Sequence, residues 1–378
     1  MGSARHVKKQ TRDSRTGAIV ATIAIIVAAL CIFLYRDRLT SSPVSSQDPA
    51  QSAVSGSDAY TYETGSRQRF ALMGNELAVA STTGLQVLDG EGKSVLREVF
   101  SMTEPAVCAT DNRCVFYDVG GTAIRVVKNG KSQKLDRKAA LTSVSMNSDG
   151  YLAVSGEEEG YKGSVKVYNS ELSPVYEWFS GSGYTLDAAV SPDCKSLAVL
   201  CAGASGSEIH FFQLDSEKET ATVKIENDLA LRLHYSKNGD LCVLSQKALR
   251  FYTPSGKALT TYDFGSNTLE DYEFGTDTIA VALGKYVSGG NTDVISFGQE
   301  GKTLGTATLS EAPAALFSQG KKLLILESMK VSIYDSAMRL QKSAEVTTGY
   351  GSAVLLPDGE VLLLSTHYAE KCELKKAE

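Results

Sequence analysis

The segment Asn147-Ser-Asp-Gly-Tyr-Leu-Ala-Val-Ser155 decides the fold of this chain, because its pattern recurs along the sequence. A polar turn is followed by a short apolar strand, and successive strands begin 37, 38, 45, 44, 38, 44 and 38 residues apart. The eight strands are Glu76–Ala80, Arg113–Tyr117, Tyr151–Ser155, Ser196–Leu200, Asp240–Leu244, Thr278–Ala282, Lys322–Leu326 and Glu360–Leu364. A strand repeat of about 40 residues predicts the blades of a β-propeller.

The segments around these strands support the same architecture. Turns rich in Asp, Asn and Gly, such as 147–150 and 357–359, supply the positive φ angles of tight hairpins. A third strand in each repeat, such as Val165–Tyr168, alternates apolar and polar residues more than the second strand does. Continuous apolar runs are typical of strands covered on both faces, so the second and third strands are predicted to lie at increasing distance from the axis.

We predict an all-β propeller of eight four-stranded blades, with seven as the alternative if the unit around Cys114 is not a blade. The last unit offers a first strand at Ser352–Leu356, a second at Val361–Leu364 and a third within His367–Leu374, but no fourth. The strand-like segment Ala59–Glu63 precedes the first unit. It is predicted to supply the missing outer strand and to close the ring, which removes exposed sheet edges.

The residues before the repeats predict a membrane anchor. Ala18–Tyr35 is a run of eighteen residues without charge, about 27 Å long as a helix and therefore close to the thickness of the hydrocarbon layer. Five basic residues precede this run and two follow it, so the positive-inside rule places the N-terminus in the cytoplasm. A cleaved signal peptide is the alternative, but Arg36-Asp-Arg38 stands where small residues would be needed.

The chain is therefore predicted to have four segments. They are a basic cytoplasmic tail (1–17), a single transmembrane helix in the plasma membrane (18–35), a flexible Ser/Pro-rich linker (36–57) and a propeller outside the cell (58–378). Residues 1–38 carry a net charge of +5, so the total of −6 leaves −11 for residues 39–378. An acidic propeller argues against a nucleic-acid partner, which requires a basic surface.

The arrangement of these segments resembles a family without a known function. A short basic tail, one apolar helix, a Ser/Pro linker and repeats with phrases such as Leu186-Asp-Ala-Ala-Val-Ser-Pro-Asp193 are similar to membrane-anchored, WD40-like or PQQ-like propeller proteins of Gram-positive bacteria. The resemblance implies the fold and the location, and it implies no activity. The chain has one tryptophan, Trp178, and therefore lacks the recurring Trp-Asp pair of WD repeats.

Candidate reactive residues are few, and for each a structural interpretation is favoured. His210 and His234 lie in strands of successive units and would bind a metal only if both approached the axis. His6 and His367 show no ligand spacing. A Ser-His-Asp set assembled from several blades remains an alternative. Glu157-Glu-Glu159 has the composition of a Ca²⁺ loop but lacks the spacing, so a solvated acidic loop is favoured.

Cysteines and aromatic residues follow the same reasoning. Six cysteines follow the apolar run: Cys108, Cys114, Cys194, Cys201, Cys242 and Cys372. Free thiols are favoured, although Cys108–Cys114 and Cys194–Cys201 each flank one hairpin and could pair across it. Aromatic residues end the third strands, and packing between blades is favoured over a sugar-stacking surface. They are Tyr168, Phe212, Tyr252, Phe297 and Tyr334.

No catalytic, cofactor or metal motif is present, so we expect a non-catalytic module that binds or scaffolds an envelope protein or a cell-wall polymer. The alternative is a glycan-active envelope hydrolase or lyase with its site in the funnel of the propeller. That alternative predicts acidic and histidine side chains on the strands around the axis.

Overall fold

A computed structural model describes residues 59–62, 65–285 and 289–377. These residues form strands and turns without a helix, arranged as an all-β propeller of eight antiparallel sheets. The predicted tail (1–17), transmembrane helix (18–35) and linker (36–57) lie outside the described residues. Within the described residues, no helix has the length and apolar character needed to cross a membrane.

Each blade is one sheet, and in blades 1 to 7 four consecutive strands pair in chain order. The strands of blades 1 to 4 are β2 (Arg69–Met73), β3 (Glu76–Ser81), β4 (Gly84–Leu88), β5 (Ser94–Val99); β6 (Pro105–Thr110), β7 (Arg113–Asp118), β8 (Ile124–Lys128), β9 (Lys131–Lys134); β10 (Leu141–Met146), β11 (Leu152–Gly156), β12 (Gly163–Tyr168), β13 (Pro174–Ser180); β14 (Tyr184–Val190), β15 (Ser196–Ala202), β16 (Gly206–Gln213) and β17 (Glu219–Glu226).

Blades 5 to 8 continue this order, and the eighth blade takes its outer strand from the start of the described chain. Their strands are β18 (Ala230–Tyr235), β19 (Leu241–Ser245), β20 (Ala248–Tyr252), β21 (Ala258–Asp263); β22 (Thr268–Phe274), β23 (Thr278–Gly284), β24 (Thr292–Gly298), β25 (Thr303–Leu309); β26 (Ala315–Gln319), β27 (Lys322–Leu326), β28 (Lys330–Asp335), β29 (Leu340–Glu345); β30 (Ser352–Leu355), β31 (Val361–Leu364), β32 (Tyr368–Cys372) and β1 (Ala59–Thr61).

The blade count of eight is therefore confirmed, and the unit around Cys114 is a blade like the others. All eight apolar segments of the repeat are second strands, and they are almost completely buried. The third strands are more buried than their alternation predicts, because neighbouring blades cover their faces, and the fourth strands carry the exposed alternation instead. First strands of neighbouring blades pack on one another, which places them around the axis.

The hydrophobic core lies between the blades. One cluster joins Val165 and Val167 of blade 3 to Leu197, Val199 and Phe212 of blade 4. Each fully buried aliphatic or aromatic side chain of this kind stabilises the fold by about 1.5–3 kcal/mol. Since every cluster is shared by two blades, a blade cannot bury its faces alone and the ring is stabilised as a whole.

The aromatic residues that end the third strands belong to this core, as favoured from the sequence. Their exposed fractions are 8% or less. Phe212, for example, packs against Trp178 and Tyr176 with ring centroids 5.4 and 6.0 Å apart. They are Tyr168, Phe212, Tyr252, Phe297 and Tyr334.

Ring closure follows the prediction made for Ala59–Glu63. Strand β1 pairs antiparallel with β32, with Tyr60 opposite Ala369 and Thr61 opposite Tyr368. The hydroxyl of Tyr60 donates to the backbone oxygen of Gly90 in blade 1 at 2.6 Å. The hydroxyl of Tyr62 lies within hydrogen-bond distance of the backbone oxygens of Ser365 and Tyr368 in blade 8. The closing segment thus contacts both the first blade and the last blade of the ring.

A fifth strand at the C-terminus was not predicted. Strand β33 (Lys375–Lys376) leaves blade 8 and pairs with β29, the outer strand of blade 7. The sequence offers no apolar alternation there, because the two residues are exposed lysines. Lys375 and Lys376 therefore cover part of the edge of the neighbouring blade.

The two ends of the ring differ in the connections that they carry. We define the turn end by the turns between first and second strands and between third and fourth strands. The loop end carries the loops between second and third strands and the connections between blades. Strand β1 occupies a fourth-strand position and Tyr62 follows it at the loop end, where its backbone N–H donates to His367. Ala59 therefore lies towards the turn end.

Candidate functional site

A recurrent bulge in the first strands of blades 3 to 6 shapes the centre of the ring. The pairing of first and second strands shifts between Leu141 and Ser143, Thr185 and Asp187, Ala230 and Arg232, and Leu269 and Asp271. The first strands of blades 1, 2, 7 and 8 pair without such a shift. A bulge re-aims the side chains that follow it, and the residue that follows each of these bulges is polar.

Asp187 is the centre of the contacts made by these polar residues. Its carboxylate is 4% exposed and accepts hydrogen bonds from the Ser143 hydroxyl at 2.9 Å and from the Leu233 backbone N–H at 3.0 Å. Burial raises the pKa of this carboxyl, while the Arg232 guanidinium and the hydrogen bonds act in the opposite direction. One carboxylate of blade 4 thus contacts blade 3 on one side and blade 5 on the other.

Arg232 extends the contacts to blade 6. Its Nε donates to the hydroxyl of Tyr272 at 3.2 Å. The phenol oxygen of Tyr272, followed by the Asp187 carboxylate, raises the pKa of this guanidinium above its usual value despite burial. Ser143, Asp187, Arg232 and Tyr272 therefore form one polar network over four consecutive blades, which we name the inner network.

Further along the first strands, towards the turn end, two more polar side chains, His234 and Glu273, contact the next blade. The imidazole of His234 stacks on Phe274 with a centroid distance of 4.9 Å and an interplanar angle of 6°. Burial lowers the pKa of His234 to about 4, so it is neutral at pH 7. The Glu273 carboxylate accepts from the backbone N–H of Ser318 at 3.1 Å and from its hydroxyl at 2.9 Å, and burial raises its pKa.

The structure does not bring the two candidate histidines together. His210 lies on the third strand of blade 4, with Nδ1 2.9 Å from Glu219 and its ring 5.2 Å from that of Trp178, whereas His234 lies on the first strand of blade 5. The Thr222 hydroxyl donates to Glu219 and not to the imidazole, so this group lacks the order of a catalytic triad. His6 lies outside the described residues, and His367 is in the exposed loop between β31 and β32.

The carboxylates and thiols are likewise dispersed. Glu157–Glu159 lie in the loop between β11 and β12, and the described part of the chain contains no group of three or more His, Cys, Asp or Glu that could hold a metal ion. All six described cysteines are free thiols. Cys108 is opposite Val115 and Cys114 is opposite Ala109, so these two cysteines are not a direct cross-strand pair. Cys194 lies in a turn, and Cys201 is opposite Thr185.

Cys108 lies close enough to the inner network for Asp187 to influence its thiol. Its Sγ lies 3.8 Å from the backbone oxygen of Val144 on the neighbouring blade. Burial raises the pKa of this thiol to about 12, and Asp187 acts in the same direction. Because the thiolate is the reactive form, Cys108 is not prepared to act as a nucleophile at neutral pH.

A polar groove of about 500 Å³ lies at the turn end of blades 2 to 4. Arg113, 3% exposed, lines it and donates to the backbone oxygens of Gly150 at 2.8 Å and Ser170 at 2.6 Å. A Cβ at Gly150, where φ is +82°, would come within 2.8 Å of the guanidinium. The arginine thus joins blade 2 to two turns of blade 3 and has a structural use.

Sequence reasoning missed the inner network. The hydrogen-bond partners lie 40–46 residues apart, on different blades, and a bulge adds one residue without disturbing the apolar pattern of the second strand. The sequence signal was a polar residue at the equivalent position of four first strands, namely Ser143, Asp187, Arg232 and Asp271. The inner network thus links four neighbouring blades through hydrogen bonds between their first strands.

Comparison with known protein families identifies a match over most of the chain. A family described as a family of unknown function, DUF5711, matches residues 51–374. No curated protein sequence matches the chain.

Similar solved structures include three propellers of diverse origin. The C-terminal WD40 domain of Sif2 is 14% identical with a TM-score of 0.57, over 84% of this chain and 99% of that one. The computationally designed Ika8 protein is 13% identical with a TM-score of 0.63, over 84% and 100%. BamB from Moraxella catarrhalis is 12% identical with a TM-score of 0.51, over 80% and 96%. At these identities the likeness concerns the fold alone.

Proposed function

The chain belongs to the DUF5711 family of unknown function, and from this premise we propose that it is a non-catalytic binding or scaffold module outside the cell. It is held at the plasma membrane by one helix over residues 18–35, with the N-terminus in the cytoplasm. Its partner is an envelope protein or a cell-wall polymer. No cofactor is needed for this function.

The observation that carries this proposal is the use of the inner polar groups between blades. Asp187 and Glu273 accept hydrogen bonds from neighbouring blades, and the His234 imidazole is stacked and neutral. These contacts favour a rigid ring over a reaction centre. A rigid ring that presents sets of loops is suited to recognition, since function in such folds lies in the sites that the scaffold positions.

The loop end carries the longer connections, such as residues 157–162 between β11 and β12. Loops that a rigid scaffold positions commonly carry recognition. We infer that the partner binds at the loop end.

The alternative function is a glycan-active enzyme, a hydrolase or lyase, and one observation favours it. Asp187, Glu273 and His234 are acidic and histidine residues on the first strands, and burial raises the pKa of both carboxyls, as a general acid requires. Release of sugars from wall material by the wild-type chain and its absence in Asp187→Asn or Glu273→Gln would support this alternative.

In-cell crosslinking tests the binding function. A photoreactive residue is placed singly at loop-end positions, such as Met329 and Thr83, and at matched turn-end positions, such as Glu91 and Glu300, in the full chain. We expect one reproducible adduct from the loop end and none from the turn end. Absence of any specific adduct from either end would contradict the scaffold proposal, and an adduct from the turn end alone would contradict binding of the partner at the loop end.

A further inference from the structure

Three exposed aromatic side chains lie together at the loop end of blades 3 and 4. Tyr161 of the β11–β12 loop is 51% exposed, Phe179 near the end of β13 is 37% exposed and Tyr184 at the start of β14 is 38% exposed. The rings of Tyr161 and Phe179 stack with centroids 4.8 Å apart and an interplanar angle of 28°. We name these three residues the rim patch.

Lys162 connects the members of the rim patch. Its Nζ lies 5.2 Å from the centroid of the Tyr184 ring and 3.5 Å from the Tyr184 hydroxyl. Its backbone N–H donates to the oxygen of Ser180, which follows Phe179. The ring face of Tyr184 therefore already accepts an ammonium group, which is the geometry of a cation–π contact.

The loop that carries Tyr161 is acidic. Glu157, Glu158 and Glu159 precede it, and Glu157 and Glu159 are exposed. None of the three carboxylates forms an ion pair with a basic residue in the ranges that the structure describes. Exposed aromatic rings beside unpaired carboxylates are complementary to side chains that are both cationic and partly apolar, namely Arg and Lys.

We propose that the rim patch and Glu157–Glu159 form the docking site for a basic, Arg- and Lys-containing segment of an envelope protein. This inference rests on the binding function proposed above and names the site and the chemistry of the partner. Aromatic rings supply the contact area that is enriched in protein interfaces, and the carboxylates select positive charge. The net charge of −11 on residues 39–378 adds a long-range attraction to the same kind of partner.

Charge argues for a basic protein segment over a wall polymer. An anionic polymer would be repelled by three carboxylates, and a neutral glycan would gain no ionic attraction from them. Stacking of Tyr161 and Phe179 occupies one face of each ring, and a guanidinium or ammonium group needs only the other face for a cation–π contact.

The test measures binding of a fluorescent Arg- and Lys-rich peptide to the purified full chain by anisotropy, with its Glu-substituted counterpart as the control peptide. We expect Tyr161→Ala to weaken binding about fivefold, as loss of an exposed cation–π contact should. The double variant Glu157→Gln, Glu159→Gln should weaken binding and reduce its salt dependence, because screening acts on the lost charges.

Matched variants distinguish binding at this site from non-specific attraction of the peptide to the acidic protein. Glu91→Gln with Glu300→Gln removes the same charge from exposed turns at the other end, and Leu259→Ala removes an exposed apolar side chain, 47% exposed, from blade 5. Both should bind the peptide as the wild type does. Every substituted position, in the site and in the controls, is exposed, so unchanged thermal unfolding is expected and is checked first.

Three results would overturn the proposal. The first is equal loss of binding in the rim and turn-end variants. The second is peptide binding that Tyr161→Ala does not change. The third is loss of binding to a neutral oligosaccharide in Tyr161→Ala with peptide binding intact, which would make the patch a glycan platform. None of these results bears on the in-cell crosslinks that decide the scaffold function, so the two proposals fail separately.

Discussion

The imidazole of His234 shows how burial at a single residue links the stability of the ring to pH. Its pKa is about 4 in the folded chain, against about 6.5 in an unfolded one. The unfolded state therefore binds a proton first as the pH falls. The contribution of His234 to stability is fully present above pH 6.5 and is lost between pH 6.5 and pH 4.

We predict that His234→Phe, which keeps a ring to stack on Phe274, will lose less stability on acidification than the wild type. The difference between the two should grow from pH 6.5 to pH 4 and reach about 3 kcal/mol there, since the two pKa values differ by about 2.5 units at ~1.4 kcal/mol for each unit. Urea unfolding of the full chain at several pH values measures it.

Asp187 and Glu273 affect stability in the opposite sense on acidification, because burial raises their pKa values. Both residues are present in the wild type and in His234→Phe, so their contributions cancel when the two free energies of unfolding are subtracted. The surface variant His367→Phe provides the control. Parallel pH profiles for wild type and His234→Phe would show that the imidazole is not desolvated in the folded chain.

Strand β1 closes the ring although it has only three residues. The strand has three backbone partners on β32, and Tyr60 and Tyr62, both 2% exposed, fix it in place. A Cβ at Gly92, where φ is +81°, would come within 3.0 Å of the Tyr60 ring. The closing element is therefore held mainly by two buried phenols.

We predict that Tyr62→Ala will destabilise the ring by about 3–5 kcal/mol, as expected for removal of a large buried aromatic side chain. Tyr62→Phe should cost about 1 kcal/mol, since it removes only the hydroxyl. Loss of β1 exposes the edge of β32, so Tyr62→Ala should also form oligomers. Denaturant unfolding and size-exclusion chromatography provide the two measurements.

Leu259→Ala serves as the control for this element, because Leu259 also belongs to a fourth strand but is 47% exposed. Hydrogen exchange locates the effect, which should appear first at Tyr368–Cys372. Fast exchange spread evenly over all blades in Tyr62→Ala would contradict a role confined to closure.

The strands and their bulges show which parts of this structure the sequence could predict. The apolar second strands and the missing fourth strand of blade 8 follow from local pattern, because burial on both faces leaves a continuous apolar run. The local pattern does not predict the bulges at Thr142, Leu186, Leu231 and Glu270, since a bulge depends on the register between two strands. The rim patch was also missed, because Tyr161, Phe179 and Tyr184 meet only through the packing of a loop on two strands.

At the scale of the whole molecule, the proposed location makes a prediction that labelling can check. With one anchor at residues 18–35 and the N-terminus in the cytoplasm, both ends of the ring face the exterior. Glu159→Cys at the loop end and Glu300→Cys at the turn end should react with a membrane-impermeant maleimide added to intact cells. A cysteine placed at Ser3 in the predicted cytoplasmic tail should react only after lysis.

The native thiols give this experiment a low background, for a physical reason. Burial raises the pKa of every described cysteine, so little thiolate is present at pH 7 to react. Labelling of Glu159→Cys and Glu300→Cys only after lysis would place the propeller in the cytoplasm and overturn the topology. Labelling of Glu159→Cys alone in intact cells would instead show that the propeller is outside the cell and that the turn end is shielded there.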